Sequence, residues 1–334
     1  MNRIPLCDLH CHLDGSITAP IALKLAELQG IELPVSDYTE LEKLLSVSDS
    51  CESLTDFLKC FSLPLSLMQT EEGISEAVRL VCENLKEEKV DYAEIRFAPQ
   101  LHQEKGLSQV QVVKAALEGL KKTDFHANLI LCMMRGEDTH DANFETVEIA
   151  RKLLVRDGGV VAVDIAGDEA HFPLADYQME FSCAAAWNIP VTIHAGEAAG
   201  PDSVWDAVEC GALRIGHGIA AIEDDDLLDE IIEEGIVLEL CPTSNRITKA
   251  IPDMKNYPLV ELMKRGVRVT INTDDKAICR TSLLDEYNYI QKEFGISDSQ
   301  KYELMQNAWE AAFCNLIRAQ IIEEDYDRDE DTDE

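Results

Sequence analysis

The residues with chemical capability gather in a few short motifs, the first of them Cys7-Asp8-Leu9-His10-Cys11-His12-Leu13-Asp14-Gly15. A hydrophobic run, Ile4 to Leu9, leads into two histidines spaced i, i+2. Alternate residues of an extended strand face one side, so His10 and His12 point together and Cys11 points away. Two imidazoles converging from one strand end are half a metal site. Three further β-branched runs end in comparable residues: Val191-Thr192-Ile193-His194-Ala195-Gly196-Glu197, Arg214-Ile215-Gly216-His217-Gly218 and Val267-Arg268-Val269-Thr270-Ile271-Asn272-Thr273-Asp274-Asp275. Each reads as a strand delivering a polar side chain at its end.

Neutral imidazoles with one carboxylate suit a borderline metal such as zinc, so His10, His12, His194 and Asp274 form the expected ligand set for one zinc ion per chain. Such an ion makes water acidic enough to yield hydroxide near neutral pH. Glu197, just past a glycine that lets the chain turn, is placed to donate a proton as the nucleophile attacks. His217, at the next strand end, is placed to hold or deprotonate the attacking water. Asp275 follows the proposed ligand directly and either reaches the pocket from a frayed strand end or caps a helix. The stretch Gly216-His217-Gly218-Ile219-Ala220-Ala221 matches a dinucleotide-binding pattern only formally, because a histidine interrupts it and the first-strand context is missing. His102, His126, His140 and His171 fall outside the convergent positions and read as surface or satisfied core histidines.

Eight strand-like segments position these motifs: Ile4–Leu9, Val90–Phe97, Asn128–Arg135, Val160–Ala166, Pro190–Ala195, Leu213–His217, Gly235–Leu240 and Val267–Thr273. Helical stretches alternate with them. Thr18-Ala19-Pro20 starts one helix and Gly30 ends it. Shorter helices are expected over Ser203–Glu209 and Asp224–Glu234, and a capping box at Ser297-Asp298-Ser299-Gln300 opens a long helix toward Ile322. This alternation predicts an α/β fold, a (β/α)₈ barrel, with catalysis at the carboxyl ends of the strands. An insertion after the first strand, 37–72, exceeds a minimal barrel unit. It reads as an accessory helical lid insertion, carrying Phe57 and Phe61 one helical turn apart. The chain is expected to form one barrel domain over 1–322, followed by an acidic, disordered tail over 323–334.

Sixty-four acidic residues stand against 29 basic ones, a formal net charge of −35. That balance excludes a basic face for nucleic acid or anionic membrane. Eleven cysteines occur without C-x-x-C spacing. No apolar run approaches a membrane span, and the first strand begins almost at once, so a cytoplasmic protein with reduced thiols is expected. Oligomeric state is not legible.

Together, His10-Cys11-His12-Leu13-Asp14-Gly15-Ser16, Ala166-Gly167-Asp168-Glu169, His194-Ala195-Gly196-Glu197, Gly216-His217-Gly218 and Asn272-Thr273-Asp274-Asp275 resemble the adenosine deaminases, amidohydrolase barrels, in consistent order from residue 4 to about 320. The resemblance implies zinc on His10, His12, His194 and Asp274, and zinc-dependent hydrolysis of adenosine or 2′-deoxyadenosine to inosine or deoxyinosine plus ammonia, a purine-salvage reaction. It implies Glu197 as proton donor to purine N1 and His217 as the residue orienting the attacking water. Asp275 would bind that water and N7, the Gly167 backbone N3, and Asp14 the ribose 5′-hydroxyl, with Phe57 and Phe61 as a hydrophobic gate. Cys241-Pro242-Thr243-Ser244-Asn245 resembles the bacterial branch, and Lys276 stands where the family usually has proline.

The alternatives are a sister deaminase acting on adenine or N6-modified AMP, and a catalytically silent barrel serving as a binding protein. Asp14 favours the nucleoside, because a carboxylate there repels a phosphate. A binuclear relative would need a bridging lysine at the end of strand four, and Val163-Asp164-Ile165-Ala166-Gly167 offers none. The complete ligand and acid set argues against the silent barrel.

Overall fold

Short apolar runs bounded by turn residues become eight strands: β1 (Cys7–His12), β2 (Tyr92–Phe97), β3 (Ala127–Arg135), β4 (Val160–Gly167), β5 (Thr192–Ala195), β6 (Arg214–His217), β7 (Val237–Leu240) and β8 (Arg268–Ile271). Nearly every strand residue is buried, as expected for parallel strands covered on both faces. The computed structural model describes residues 4–47, 57 and 59–315. Strands β1 to β4 pair in parallel in chain order, as do β5 to β8. Parallel bridges Val163–Val191 and Cys11–Asp274 join the two sets and close the barrel. The second seam is made by His12 N–H donating to Asp274 O at 3.0 Å and Asp274 N–H to His10 O at 2.7 Å. Barrel closure and the site therefore share residues.

Helices Gln109–Lys121, His140–Leu153, Gln178–Ala186, Pro201–Glu209, Asp225–Glu233 and Leu259–Arg265 follow β2 to β7 in turn, and Leu283–Phe294 and Asp298–Ala311 follow β8. Between β1 and β2 lie helices Ala19–Gln29, Tyr38–Leu45, Ser62–Leu67 and Glu71–Glu87. The first begins after Thr18 with proline in its first turn and ends at Gly30, whose φ of 63° closes the αL cap. The Ser297 capping box opens helix Asp298–Ala311.

Most element boundaries shift from the sequence reading by one or two residues, and two elements depart further. Strand β1 reaches His12 instead of stopping at Leu9, with a register break against β2 between Asp8 and Cys11, so both histidines sit on the strand itself. The helix expected to run from Ser297 toward Ile322 breaks after Ala311, and helix resumes at 313–315, the last described residues. There the Ala311 carbonyl accepts a hydrogen bond from buried Arg214, and the Phe313 ring lies 3.8 Å from that guanidinium. A tertiary contact overrides helix propensity.

The insertion packs onto the loop after β8: Val47 N–H donates to Ile278 O at 3.1 Å, and Val47, Phe57, Cys60, Ile278 and Cys279 form a small apolar cluster. Residues 48–56, Leu58 and the acidic segment 323–334 lie outside the described residues. No disulfide joins the described cysteines. No helix among the described residues is long and apolar enough to cross a membrane.

Candidate active site

Seven side chains from four strand ends meet over the barrel's carboxyl mouth. His10 turns Nδ1 to Glu239 Oε2 at 2.8 Å, which leaves Nε2 facing Asp274 Oδ1 at 3.3 Å. His12 Nε2 lies 3.4 Å from the same Asp274 oxygen and 3.2 Å from His194 Nε2. His194 sets Nδ1 2.8 Å from Asp164 Oδ2. Carboxylates on the outer nitrogens orient imidazoles with their inner nitrogens free for a metal. His10 Nε2 is buried without a hydrogen-bond partner among the described residues.

Ligand atoms of His10, His194, His217 and Asp274 all lie within 4.8 Å of one another, and those of His12, Asp14 and Asp275 form an adjoining group. The four expected ligands thus converge, and His217 joins their innermost group. Burial holds the His12 imidazole well below its ordinary pKa and lowers that of His194 to about 4. Neutral imidazoles facing one another beside a carboxylate, with an orphaned ring nitrogen, fit a divalent cation.

Beneath this cluster runs a chain of buried charge: Arg96 bridges Asp164 at 2.7 Å and Glu239 at 2.8 Å, while Arg214 bridges Glu239 at 2.6 Å and Glu94 at 2.5 Å. Asp164 and Glu239, the partners of the two histidines, are themselves anchored. Sequence reasoning missed this layer. The available signal was a charge inside otherwise apolar strands: Arg96 in β2, Asp164 in β4, Glu239 in β7.

Glu197 Oε1 accepts hydrogen bonds from Asn245 Nδ2 at 3.3 Å and Thr248 Oγ1 at 3.1 Å, and Oε2 lies 3.5 Å from His217 Nε2. The Asn245 amide also faces His217 Nδ1 at 3.1 Å, and Tyr257 OH donates to Asn245 Oδ1 at 3.0 Å. One buried amide therefore links Glu197 to His217, a role the motif around Cys241 did not reveal. His217 and Asp274 both adopt φ of 61°, a left-handed conformation uncommon outside glycine and concentrated at functional sites.

Asp275 caps no helix. The next helix begins at Leu283 under Ser282, and the Asp275 Oδ1 is buried without a partner. Burial, then the charges of Asp274, Asp14 and Glu197, push its carboxyl well above the usual range. It occupies this position because residue 15 is glycine: a Cβ there would sit 1.9 Å from Asp275 Oδ1. Asp14 accepts a hydrogen bond from Gly15 N at 3.1 Å, and burial raises its pKa to about 6.

These groups open into a cavity of about 690 Å³ whose wall includes Asp14, Gly167, Phe57 and Phe61. The two phenylalanine rings meet edge to face, 5.7 Å apart. His171 is exposed and sits 2.8 Å from Asp168, outside the converging groups as expected, although it also lines the cavity. His102 is buried and hydrogen-bonded to Met68 O at 3.0 Å, and His126 and His140 lie near the surface, 2.7 Å from Asp157 and 2.8 Å from Glu180.

A family model described as Adenosine deaminase matches residues 5–327. The adenosine deaminase of Haemophilus ducreyi is 44% identical over 314 residues, spanning 92% of this chain and 91% of that protein. Among solved structures, the adenine deaminase of Arthrobacter aurescens superposes with a TM-score of 0.82 at 26% identity, over 93% of this chain and 94% of its own. The N6-methyl-AMP deaminase of Arabidopsis thaliana gives 0.79 at 26% identity, over 97% and 96%. A barrel with this site, matched across nearly its whole length, belongs to the adenosine deaminase family.

Proposed function

We propose that the chain is a zinc-dependent hydrolase that converts adenosine and 2′-deoxyadenosine to inosine and deoxyinosine with release of ammonia, as a cytoplasmic step of purine salvage. The observation that carries this reading is the convergence of His10, His12, His194 and Asp274 beside Glu197 in one cavity of about 690 Å³, ample for a nucleoside. His10, His12, His194 and Asp274 would hold one zinc ion, which would supply the Lewis acidity that makes water a nucleophile at neutral pH. Glu197 hands a proton to purine N1 as the water oxygen adds to C6. His217, 3.5 Å from Glu197 and 3.9 Å from Asp274, orients that water. Asp275 meets the water and N7. The C6–N bond to the exocyclic amine then breaks, the amine leaves as ammonia with one proton of the water, and the other proton of the water restores Glu197 as the C6 carbonyl forms.

The Gly167 backbone is assigned to N3, Asp14 to the ribose 5′-hydroxyl, and Phe57 with Phe61 to a gate within a lid spanning 37–72. The chain is taken as one barrel domain over 1–322 with an acidic tail, 323–334.

The second reading, action on adenine or an N6-modified AMP, has support from the structural relatives bearing those names. The pocket opposes the nucleotide. Asp14, Asp168, Glu169, Glu197, Asp274 and Asp275 line it, against Lys249 as the one lysine or arginine among the described lining residues. Such a cavity repels a phosphate.

The test is ammonia release from adenosine, deoxyadenosine, adenine, AMP and N6-methyl-AMP, each with and without a chelator. Chelator-sensitive release from the two nucleosides alone is expected. Release from adenine or the nucleotides alone transfers the assignment to the second reading, and chelator-insensitive release removes the metal from it.

A further inference from the structure

Glu169 is buried at 7% exposure in the loop after β4, and no catalytic step above uses it. Its carboxylate collects four consecutive backbone N–H donors from the loop after β5: Gly196 at 2.5 Å, Glu197 at 3.0 Å, Ala198 at 2.7 Å and Ala199 at 3.3 Å. Ser203 Oγ adds a fifth at 2.6 Å. Successive amides turned to one point form a concavity suited to an anion, and here the chain fills it with its own carboxylate. The conformation depends on Gly196, whose φ is 70° and where a Cβ would lie 2.4 Å from Val204. On the other side, Arg135 donates to the His194 carbonyl at 2.6 Å and to Phe172 O at 2.8 Å. The hydrogen bonds outweigh burial and hold the Glu169 carboxyl below its ordinary pKa.

We propose that Glu169 is the positioning residue for the proton donor, locking the backbone of 196–199 so that the Glu197 carboxyl stands at purine N1. Glu169 lies two residues past Gly167, so one side chain ties the loop assigned to N3 to the loop assigned to N1, two atoms of the same ring. The span between those contacts is then a property of the Glu169 clamp. The proposal rests on the deaminase reading. Its physical basis is that loss of the carboxylate leaves four amides without their acceptor, and a turn so deprived relaxes. Displacing a catalytic group by about 1 Å costs on the order of 10²-fold in rate.

The experiment compares wild type, Glu169→Gln, Glu197→Gln and the double variant by steady-state kinetics, and the first two by hydrogen–deuterium exchange. A glutamine keeps the shape and places an NH₂ against one group of donors. The expected result is a fall in kcat of about 10- to 100-fold with KM changed by less than about threefold, and faster exchange confined to amides 196–199. The double variant should be no slower than Glu197→Gln alone, because the clamp acts through Glu197. Ser203→Ala, which removes the outermost bond, should show the same exchange signature with a smaller kcat loss, and it decides the matter where Glu169→Gln fails to fold. Unchanged kcat, unchanged exchange at 196–199, or additive losses in the double variant would overturn the proposal. A wild type that deaminates no nucleoside refutes the functional reading instead, and the exchange experiment still reports on the clamp.

Discussion

Asp275 stands in the cavity only because position 15 lacks a side chain. Gly15→Ala would force the Asp275 carboxyl aside by more than an ångström, in a pocket where Asp14, Glu197 and Asp274 already crowd it. The expected outcome is a loss in kcat/KM of about 100-fold or more, with the Tm lowered by only a few degrees because the change lies at the barrel mouth rather than in its core. Steady-state kinetics beside thermal unfolding separate the two, and a large fall in Tm with activity retained per folded molecule contradicts the argument. The reach of sequence reasoning is visible at this scale. His10 and His12 were legible because a strand's period of two admits one geometry, and Glu197 because glycine lets the chain turn after His194. Glu239, Asp164 and Asn245 were not, since their roles depend on which strand ends become neighbours when the barrel closes.

At the scale of elements, all eight strands were legible as apolar runs, and the helix starts at Thr18 and Ser297 as capping signals. The break in the last helical stretch after Ala311 was not, because contacts between residues 311–313 and Arg214 set it from about a hundred positions away. Lys276 shows how a single residue can join two elements. Its side chain is 2% exposed, and Nζ reaches Asn84 Oδ1 at 2.6 Å and Glu88 Oε1 at 2.7 Å, fixing the loop after β8 to the end of helix Glu71–Glu87. The prediction is that Lys276→Met lowers unfolding free energy by about 1–3 kcal/mol, less than a fully enclosed pair because Glu88 keeps contact with water. The loss should be the same in low and high salt, since a buried pair is weakly screened. Urea unfolding at two ionic strengths checks this. A deficit that disappears in high salt would mean that the pair behaves as a surface bridge.

At the scale of the molecule, an acidic surface surrounds an interior that also holds ionisable groups, and pH reaches the two differently. Repulsion across a chain of net charge −35 is diffuse and salt-dependent. Glu286 is enclosed: its carboxyl accepts from Thr243 N at 3.1 Å and Thr281 Oγ1 at 2.6 Å, and burial lifts its pKa from 4.5 to about 7. The folded state therefore binds this proton more tightly than the unfolded chain. Its contribution to stability is complete below pH 4.5 and is lost as pH rises through about 7, the reverse of a salt-bridged carboxylate. Glu286→Gln imitates the protonated form, keeps an oxygen for Thr243 and an NH₂ for Thr281, and has no charge to bury. Relative to wild type, the variant should gain about 2–3 kcal/mol between pH 5 and pH 8. Because both proteins carry nearly the same surface charge, the difference between their urea unfolding curves isolates the single buried group. Curves that stay parallel across that range would place the pH response at the surface. A gap that widens toward pH 8 and persists in high salt would place it at Glu286, behind the loop that presents Asp274 and Asp275.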